Sequence, residues 1–597
     1  MSGERTSASW QKDAFHIGIN MAGAVSAGAY TAGVLDFLIE ALEQWQAQKE
    51  AFRAHLADEN APEEFEGVAP LHDVILDCFS GASAGGMCAA ISSVMLHSSF
   101  DHITDTTKTG TNNVFYEAWV NQIDIRKLLA KDDLKEGEPL ASLLDSTIID
   151  QIAAEALVPR GPGIARPYVA DDLTLFLTTT NVRGMTYPLY GDANGSVNEF
   201  TTYYGDRVRF EVVRGAIAPT GADAYPLPVD NAGDTASWSF LQTAAKATGA
   251  FPMFLAPRKL TRRVSDYRTP LWFPVGAKAP VPLPLPDLPQ PPPTTVDTFN
   301  IDGGVTDNDP FELSHDYLAS RNPQAETIDC VTSNPRSPEK ANAAVLTVAP
   351  FPTRERFDEG FFEPPPLTLF GMLGRLFTVV MSQSRFLGES LSVLTSGRAF
   401  SRFVIAPSDP GEKKLGQEDK GQEDQDALQC GTLSAFGGFM ERSFRAHDFL
   451  LGRYNCQRFL DVHFRLPETN PVIAAGLVAA GKYAGAVRSN FAGAAPPEAD
   501  PVRAKNDPEA VKWLSIIPLV GTAAQELERP QRGQISRDDV HTIAGLAMER
   551  LRAIKGPLLH GAPAAELLGG VIDAISLFEK GKVAELLEKG LAPNVKL

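Results

Sequence analysis

The feature that most constrains the fold is a strand that runs into a turn of small residues and then into a helix. Residues 74–79 (VILDCF) have the composition of a buried strand, and the turn 80–86 (SGASAGG) follows them directly. A stretch rich in Ala and Met, with helical spacing, continues to about residue 96. Since so short a turn requires the helix to pack back on the sheet, this unit is typical of α/β proteins.

The same alternation of strands and helices extends over about the first 350 residues. Further strand-like runs lie at residues 15–19, 173–180, 207–213, 296–301 and 345–348. Residues 100–170 and 215–300 are too long for simple connections, so we expect them to form cap or lid structure. The sequence therefore predicts an α/β sheet with flanking helices, enlarged by insertions.

Two stretches of unusual composition interrupt this pattern. Residues 280–293 hold eight prolines in fourteen positions, which favours an extended segment inserted in the first domain. Residues 411–426 hold nine charges and almost no apolar side chains, so we predict a disordered charged loop there. We predict an α/β domain at 1–360 and a mainly helical region at 361–597, in which residues 536–539 (SRDD) form the capping box of a helix.

Charge and composition exclude several classes of protein. The chain has 54 Lys+Arg against 74 Asp+Glu and a pI near 5.0. This balance argues against a nucleic-acid-binding protein, because neutralising phosphates requires a basic face. The five cysteines are odd in number, widely spread and without metal-ligand spacing, so we interpret them as buried thiols of a reducing compartment.

Hydropathy gives no sign of export or of a membrane span. The N-terminal sequence lacks the apolar stretch of a signal peptide. No segment reaches the ~20 apolar residues that a transmembrane helix needs. We therefore expect a cytoplasmic protein without a transmembrane segment, for which peripheral contact with a membrane stays open. The sequence gives no oligomeric state.

Ser83 is the strongest candidate for a catalytic nucleophile. Residues 81–85 (GASAG) have the form G-x-S-x-G, with a strand before them and a helix after them. Small neighbours let the serine project from such a turn, and the helix N-terminus favours developing negative charge. A simple glycine-rich turn is the alternative. Ser80 is a poorer candidate because it lacks the flanking glycines.

The residues alone leave the general base open. Five of the histidines downstream of Ser83 are candidates, and none lies in a recognisable loop motif: His315, His447, His463, His541 and His560. Asp302 follows the strand-like run 296–301 and precedes two glycines, which gives a carboxylate on a tight turn. An ordinary reverse turn has the same pattern.

Taken together, these motifs resemble the patatin-like phospholipase family. The family's G-x-S-x-G and its D-G-G/A motif, continued as V-x-x-N-x-P, are matched at Gly81, Ser83, Gly85, Asp302, Gly303, Gly304, Val305, Asn308 and Pro310. Between them, residues 244–254 (AAKATGAFPMF) resemble the family's Ala-rich helix and A-x-P-x-x-F block. The three motifs occur in the family's order and cover roughly residues 14–350.

The resemblance implies a three-layer patatin-like fold and a Ser–Asp dyad made by Ser83 and Asp302. It implies a lipid acyl hydrolase of phospholipase A or lysophospholipase type that forms an acyl-enzyme and needs neither metal nor cofactor. Its lipid substrate would be met transiently at a membrane or micelle surface. Two alternatives stay open: a catalytically weak lipid-binding or scaffold protein on the same fold, and a Ser–His–Asp esterase.

The family's oxyanion loop, usually G-G-G-x-R-G, has a variant counterpart at residues 20–30 (NMAGAVSAGAY). The run of three glycines and the arginine are absent from it. Backbone N–H groups can nevertheless stabilise an oxyanion whatever side chains they carry. We expect the oxyanion hole to be formed by the amides of Gly23, Ala24 and Val25 and by that of Ala84.

Two segments have a composition suited to a membrane surface. Residues 250–257 (AFPMFLAP) are apolar and precede a basic cluster of Arg258, Lys259, Arg262, Arg263 and Arg268. Apolar residues beside basic ones can dock on an anionic interface. Residues 367–381 (LTLFGMLGRLFTVVM) have the composition of an interfacial helix or lid. We favour the alternatives, a core segment followed by a solvated turn in the first case and a buried helix in the second.

Overall fold

A computed structural model describes most of the chain. The described residues are 10–107, 109–135, 137–161, 163–190, 197–215, 218–230, 235–268, 271–272, 281–282, 286–328, 331–351, 384, 399–408, 427–497, 499, 512–559 and 580–591. The predicted charged loop at 411–426, the candidate interfacial helix at 367–381 and part of the proline-rich segment lie outside them.

The strands of the described residues agree with the strand-like runs of the sequence. They are β1 (Ala14–Met21), β2 (Asp73–Gly81), β3 (Val169–Tyr190), β4 (Val197–Val213), β5 (Ala224–Pro228), β6 (Arg258–Arg263), β7 (Leu271–Trp272), β8 (Val281–Pro282), β9 (Thr295–Asp302), β10 (Glu326–Ile328), β11 (Val331–Ser333), β12 (Ala343–Val348), β13 (Arg402–Ile405), β14 (Arg465–Pro467), β15 (Ala492–Gly493) and β16 (Trp513–Ser515). All six predicted runs fall within β1, β2, β3, β4, β9 and β12.

The helices are concentrated between these strands and in the C-terminal region. They are α1 (Gly28–Ala57), α2 (Ala84–Met95), α3 (Val114–Tyr116), α4 (Ile125–Leu128), α5 (Thr147–Ala156), α6 (Thr235–Thr248), α7 (Phe311–Arg321), α8 (Gly437–Met440), α9 (Arg442–Val462), α10 (Pro471–Ala479), α11 (Ala484–Phe491), α12 (Arg537–Leu559) and α13 (Lys580–Leu591). Half of the predicted capping box is present at α12: the Asp539 N–H donates to Ser536 Oγ at 3.1 Å, whereas the Asp539 carboxylate accepts from the Ser536 hydroxyl.

Nine strands of the described residues form the main sheet, and its centre is parallel. The order β13-β12-β1-β2-β3 runs parallel throughout. Beyond it β4 pairs antiparallel with β3, and β9 pairs antiparallel with both β3 and β6. The expected α/β architecture is confirmed. The loops that follow β1 and β2 lie at the same edge, because both strands end there.

The predicted domain boundary at residue 360 needs correction, because the sheet continues past it. β13 lies at 402–405 and pairs in parallel with β12. Helix α9 also packs directly on α1. A Cβ atom on Gly33 would lie 1.9 Å from the carbonyl oxygen of Phe449, and one on Gly452 would lie 2.2 Å from that of Tyr30. The described residues beyond 360 are mainly helical, and they share one core with the first domain.

A buried cluster of charges joins α9 to α1. Arg453 is 1% exposed, and its guanidinium donates to Asp36 and, at 2.6 Å, to Glu40. His102 bridges Asp36 and Glu43, at 3.2 Å from each. Burial acts to lower the pKa of His102, but the two carboxylates outweigh burial and raise the pKa to about 9. Since buried charges are tolerated only when paired, these contacts hold α9 against α1.

The described residues contain one helical stretch, Val25–Ala57, that is long and apolar enough to cross a membrane. Of its most apolar window, 94% is buried inside the protein. The stretch also carries Asp36 and Glu40, which pair with Arg453. These are properties of a central core helix.

Replacing Arg453 by Met should lower the free energy of unfolding by about 3–5 kcal/mol, because Asp36 and Glu40 then stay buried without their cation. Urea denaturation measures the change. Lys589→Met is the control, since Lys589 pairs with Glu585 on an exposed helix face and should cost less than about 0.5 kcal/mol. Equal losses in the two variants would contradict a stabilising role for the buried cluster.

Candidate active site

Ser83 lies at a sharp turn between β2 and α2. Its φ of 52° and ψ of −126° fall in a region that residues other than glycine rarely occupy. A Cβ atom on Gly81 would lie 2.6 Å from the carbonyl carbon of Gly85, and one on Gly85 would lie 2.1 Å from the carbonyl oxygen of Met21. Only glycine fits at both positions, so the G-x-S-x-G spacing has a steric cause.

Asp302 is brought to Ser83 by the pairing of β9 with β3, in which it lies opposite Thr179. Ser83 Oγ donates to Asp302 Oδ2 at 2.6 Å, and the Gly304 N–H donates to Oδ1 at 2.7 Å. A Cβ atom on Gly303 would lie 2.3 Å from the carbonyl oxygen of Thr178. The two glycines therefore permit the close turn and supply a donor to the carboxylate.

Burial changes the basicity of Asp302. The side chain is fully buried, and this burial raises its pKa to about 7 against the opposing effect of the hydrogen bonds from Ser83 and Gly304. An ordinary aspartate, with a pKa near 4, is a weak base at neutral pH. A carboxylate that titrates near 7 is matched to proton transfer at that pH.

The loop after β1 lies directly beside Ser83, but one predicted oxyanion donor needs correction. A Cβ atom on Gly23 would lie 3.2 Å from Ser83 Cβ and 2.1 Å from Asn308 Oδ1. The Gly23 N–H itself donates to the Asn308 carbonyl at 3.0 Å. This amide therefore ties the loop to the turn that follows Asp302 and is not available to an oxyanion.

The amides of Ala24, Val25 and Ala84 stay candidates for the oxyanion hole. None of the three donates to an acceptor among the described residues. Val25 has a φ of 47°, a strained value for a β-branched residue, and it lines the same pocket as Ser83. Ala84 is the first residue of α2, where N–H groups have no partner inside the helix.

Thr248 is a site residue that the sequence did not single out. Its Oγ1 accepts the Ser83 N–H at 2.9 Å, and the side chain is fully buried at the end of α6. This hydrogen bond fixes the strained turn. It also means that the backbone N–H of Ser83 already has an acceptor within the protein. The sequence signal for Thr248 is its position within the block 244–254. The resemblance to the family identifies this block but assigns no role to its individual residues.

Ser80 has a structural role in a hydrogen-bond network behind the site. Its hydroxyl donates to Asn20 Oδ1 at 3.2 Å and accepts from Ser314 at 2.8 Å. The Asn20 amide donates to Asp309. This buried network links β1, β2, α7 and the turn after Asp302.

The geometry favours Asp302 over a histidine as the base. Where the structure describes them, the candidate histidines have other neighbours: His315 contacts Asp316 and Ser333, His447 contacts Asp448, His541 lies near Glu588, and His463 stacks on Phe459. His560 lies outside the described residues. A serine hydroxyl has one proton to donate, and Ser83 donates it to Asp302.

An apolar pocket of about 900 Å³, including its opening to solvent, lies beside Ser83. Its walls come from α2, α5 and α6, from residues 118–128 of the predicted cap, and from Phe436 and Phe439 of the C-terminal region. Among the described lining residues, Lys246 carries the charge, and it pairs with Asp150 at 2.7 Å. The pocket therefore offers a long apolar surface next to a polar reacting centre.

The basic cluster at 258–268 is largely paired with acids. The ion pairs are Arg258 with Asp150, Lys259 with Asp297, Arg262 with Asp206 and Asp266, and Arg263 with Asp266. Arg262 is only 3% exposed. In the preceding apolar segment Phe251 lines the pocket, whereas Met253 is 68% exposed. The described side chains of the cluster are thus paired with acids, and Met253 is an exposed apolar side chain beside them; the side chain of Arg268 lies outside the described part of the chain.

Comparison with known proteins agrees with this geometry. The family model described as patatin-like phospholipase matches residues 20–314, a range that contains Ser83, Asp302 and the loop after β1. An uncharacterized protein, y4iI, from Sinorhizobium fredii is 30% identical over 585 residues, which cover 91% of this chain and 76% of the relative.

Among solved structures, VipD from Legionella pneumophila aligns over 98% of this chain and 92% of its own, at 12% identity and a TM-score of 0.19, a likeness too low to bear on the fold. Members of the matched family are lipid acyl hydrolases, so the comparison supports a hydrolase at the level of the family. By its motifs, its sheet and the match to the family model, the chain belongs to the patatin-like phospholipase family.

Proposed function

We propose that this protein is a serine-dependent lipid acyl hydrolase, of phospholipase A or lysophospholipase type, that cleaves carboxylic esters with a dyad of Ser83 and Asp302. The observation that carries the proposal is the 2.6 Å hydrogen bond from Ser83 Oγ to a buried carboxylate whose pKa is about 7. Membership of the family supports the hydrolase class.

The acylation step follows from the hydrogen bond that Ser83 donates to Asp302. Asp302 takes the proton of Ser83 as Oγ attacks the ester carbonyl carbon. The negative charge that develops on the carbonyl oxygen is met by the amides of Ala24, Val25 and Ala84. Asp302 then gives its proton to the leaving alcohol, and the acyl group stays on Ser83.

Deacylation repeats the same steps with water. Asp302 takes a proton from the water as its oxygen attacks the acyl carbonyl carbon, and Ser83 recovers a proton when the fatty acid leaves. The same carboxylate therefore acts as base and as acid in each half of the reaction. This double role suits a group that titrates near neutral pH.

The apolar pocket supports a lipid as the substrate. Burying each methylene of an acyl chain contributes roughly 0.8 kcal/mol, and the lining beside Ser83 is almost entirely apolar. We place the encounter with the lipid at a membrane or micelle surface, where the exposed Met253 is available for contact. A cytoplasmic location fits the four cysteines in the described part of the chain, Cys78, Cys88, Cys430 and Cys456, which are buried and unpaired, whereas Cys330 lies outside that part.

Replacing Ser83 by Ala, or Asp302 by Asn, should each lower kcat by at least about 1,000-fold, because either change removes the nucleophile or its base. Release of fatty acid from a phospholipid and hydrolysis of a short p-nitrophenyl ester measure the loss. Asp297→Asn, at the exposed end of the same strand, should stay within about twofold of the wild type.

A fluorophosphonate separates the hydrolase from the lipid-binding alternative. Covalent labelling of the wild type, lost in Ser83→Ala, is expected. Tight lipid binding without labelling would favour a scaffold protein. Wild-type rates in both dyad variants would contradict the assignment of Ser83 and Asp302.

Activity should rise as the pH increases through about 7, because Asp302 must be ionised to accept a proton. The pH profile of kcat/KM measures this, since it reports the free enzyme. The contribution of Asp302 to the stability of the folded protein changes with pH in the opposite direction to the activity. A raised pKa means that the folded protein disfavours the charged carboxylate, so its contribution to stability is complete below about pH 4 and lost as the pH rises through about 7.

The pH dependence of stability gives a control for the pH profile. Asp302→Asn should gain in melting temperature relative to the wild type between pH 5 and pH 8, because the neutral amide carries no desolvation cost. An activity profile that is flat between pH 5 and pH 8 would contradict the role of Asp302 as base.

Filling the pocket should change the preferred length of the acyl chain. Ala153 is buried and lines the pocket from α5, whereas its neighbour Ala154 is exposed. Ala153→Phe should lower kcat/KM for a long-chain ester at least about tenfold relative to a two-carbon ester, which corresponds to roughly 1.4 kcal/mol. Ala154→Phe is the matched control and should leave the ratio unchanged. An unchanged ratio in Ala153→Phe would show that the acyl chain lies elsewhere.

A further inference from the structure

One wall of the pocket comes from residues 427–440, which lie outside the family match at 20–314. Phe436 and Phe439 of this segment line the pocket together with Ser83. The ring of Phe436 also contacts those of Phe251 and Phe254, with centroids 5.7 and 5.2 Å apart. A part of the chain beyond the matched range therefore completes the site.

The same segment is bonded to the oxyanion loop through Ser26, the residue after Val25. Ser26 is fully buried. Its N–H donates to the carbonyl oxygen of Ala435 at 3.2 Å, and its hydroxyl donates to that same oxygen. The hydroxyl also accepts the Gly438 N–H at 3.1 Å. With a longer bond of 3.4 Å from the hydroxyl to the carbonyl oxygen of Cys430, four hydrogen bonds converge on one small side chain and its amide.

Both sides of this contact are strained. Val25 has a φ of 47°, and the consecutive residues Leu433, Ser434 and Ala435 have φ values of 52°, 54° and 71°. Left-handed conformations are unfavourable for residues with a Cβ atom, and they persist only where the surroundings hold them. The strained carbonyl of Ala435 is the one that accepts from Ser26.

Helix α9 anchors the 427–440 segment from the other side. The buried carboxylate of Asp448 accepts the N–H groups of Gln429 and Cys430 at 2.9 and 2.8 Å. Arg445 donates to the carbonyl oxygen of Gly438 at 2.6 Å. The segment is therefore fixed to α9, and the oxyanion loop is fixed to the segment.

We propose that Ser26 is a positioning residue, an inference that rests on the proposed hydrolysis by Ser83 and Asp302. By binding residues 427–440, Ser26 holds Val25 in its left-handed conformation and keeps the amides of Ala24 and Val25 beside the reacting carbonyl. Ser26 touches no substrate and acts through Val25. Without the hydroxyl, Val25 relaxes towards an ordinary φ and its amide leaves the oxyanion position.

Ser26→Ala should lower kcat for a short p-nitrophenyl ester roughly 10- to 100-fold, less than the loss of an entire oxyanion donor. KM should stay within about twofold, because the oxyanion forms in the transition state and not in the bound substrate. Labelling by a fluorophosphonate should slow in parallel, since the phosphonyl oxygen occupies the same position. A lower rate constant of labelling with an unchanged final extent distinguishes lost positioning from a general loss of folded protein, which would lower the extent instead.

Thr432→Val is the matched control. The Thr432 hydroxyl donates to the Gln429 carbonyl at 3.1 Å within the same segment, so its loss removes a bond of that segment and none to the oxyanion loop. Its kcat should stay within about twofold of the wild type. Ser26→Cys keeps the size of the side chain and a weak donor, so its kcat should lie between those of Ser26→Ala and the wild type. If Ser26→Ala does not fold, Ser26→Cys replaces it in the test.

Three results would overturn the inference: a wild-type kcat in folded Ser26→Ala or Ser26→Cys, an equal loss in Thr432→Val, or a rise in KM without a fall in kcat. Failure of the proposed hydrolysis looks different. In that case the wild type neither hydrolyses the ester nor takes the label, whereas failure of the Ser26 inference leaves the wild type active.

Discussion

The hydrogen bond between Ser83 and Asp302 is the interaction on which the site depends, and two different parts of the sheet bring it about. A parallel strand delivers Ser83 to a turn at its end, and an antiparallel strand beside β3 delivers Asp302. Burial of the carboxylate, which costs stability, raises its pKa to about 7, a value suited to the proposed role as a base. Reactivity and instability have one physical origin here, namely the removal of water from Asp302.

Backbone strain at the site likewise costs stability. Ser83 and Val25 hold positive φ values that an isolated chain would rarely adopt. They are held by contacts from distant elements, Thr248 at the end of α6 for Ser83 and, through Ser26, Ala435 for Val25. The packing of α9 on α1 stabilises the support behind them, because it buries Arg453 against two carboxylates of α1.

The sequence predicts those parts of the site whose causes are local. Gly81 and Gly85 are needed by neighbours within a few residues or on the adjoining strand, so the pattern G-x-S-x-G carries the geometry with it. The amide of Gly23 is lost to the carbonyl of Asn308, 285 positions away, and no spacing near Gly23 signals that bond. The pocket wall formed by Phe436 was missed for the same reason: it depends on how α9 packs on α1, not on residues near Ser83.

Because the site depends on distant contacts, a complete site needs more of the chain than the residues matched by the family model. The family match ends at residue 314 and contains both members of the proposed dyad. Beyond it lie β12, which pairs with β1, and β13, which covers the far edge of β12. Every residue of β12 is buried, so a chain cut at 360 would expose an apolar edge strand and the face of α1 that α9 covers. Residues 20–314 contain the proposed reacting groups, but the sheet edge, the partner of α1 and one wall of the pocket come from the rest of the chain, and the two parts therefore form one folding unit.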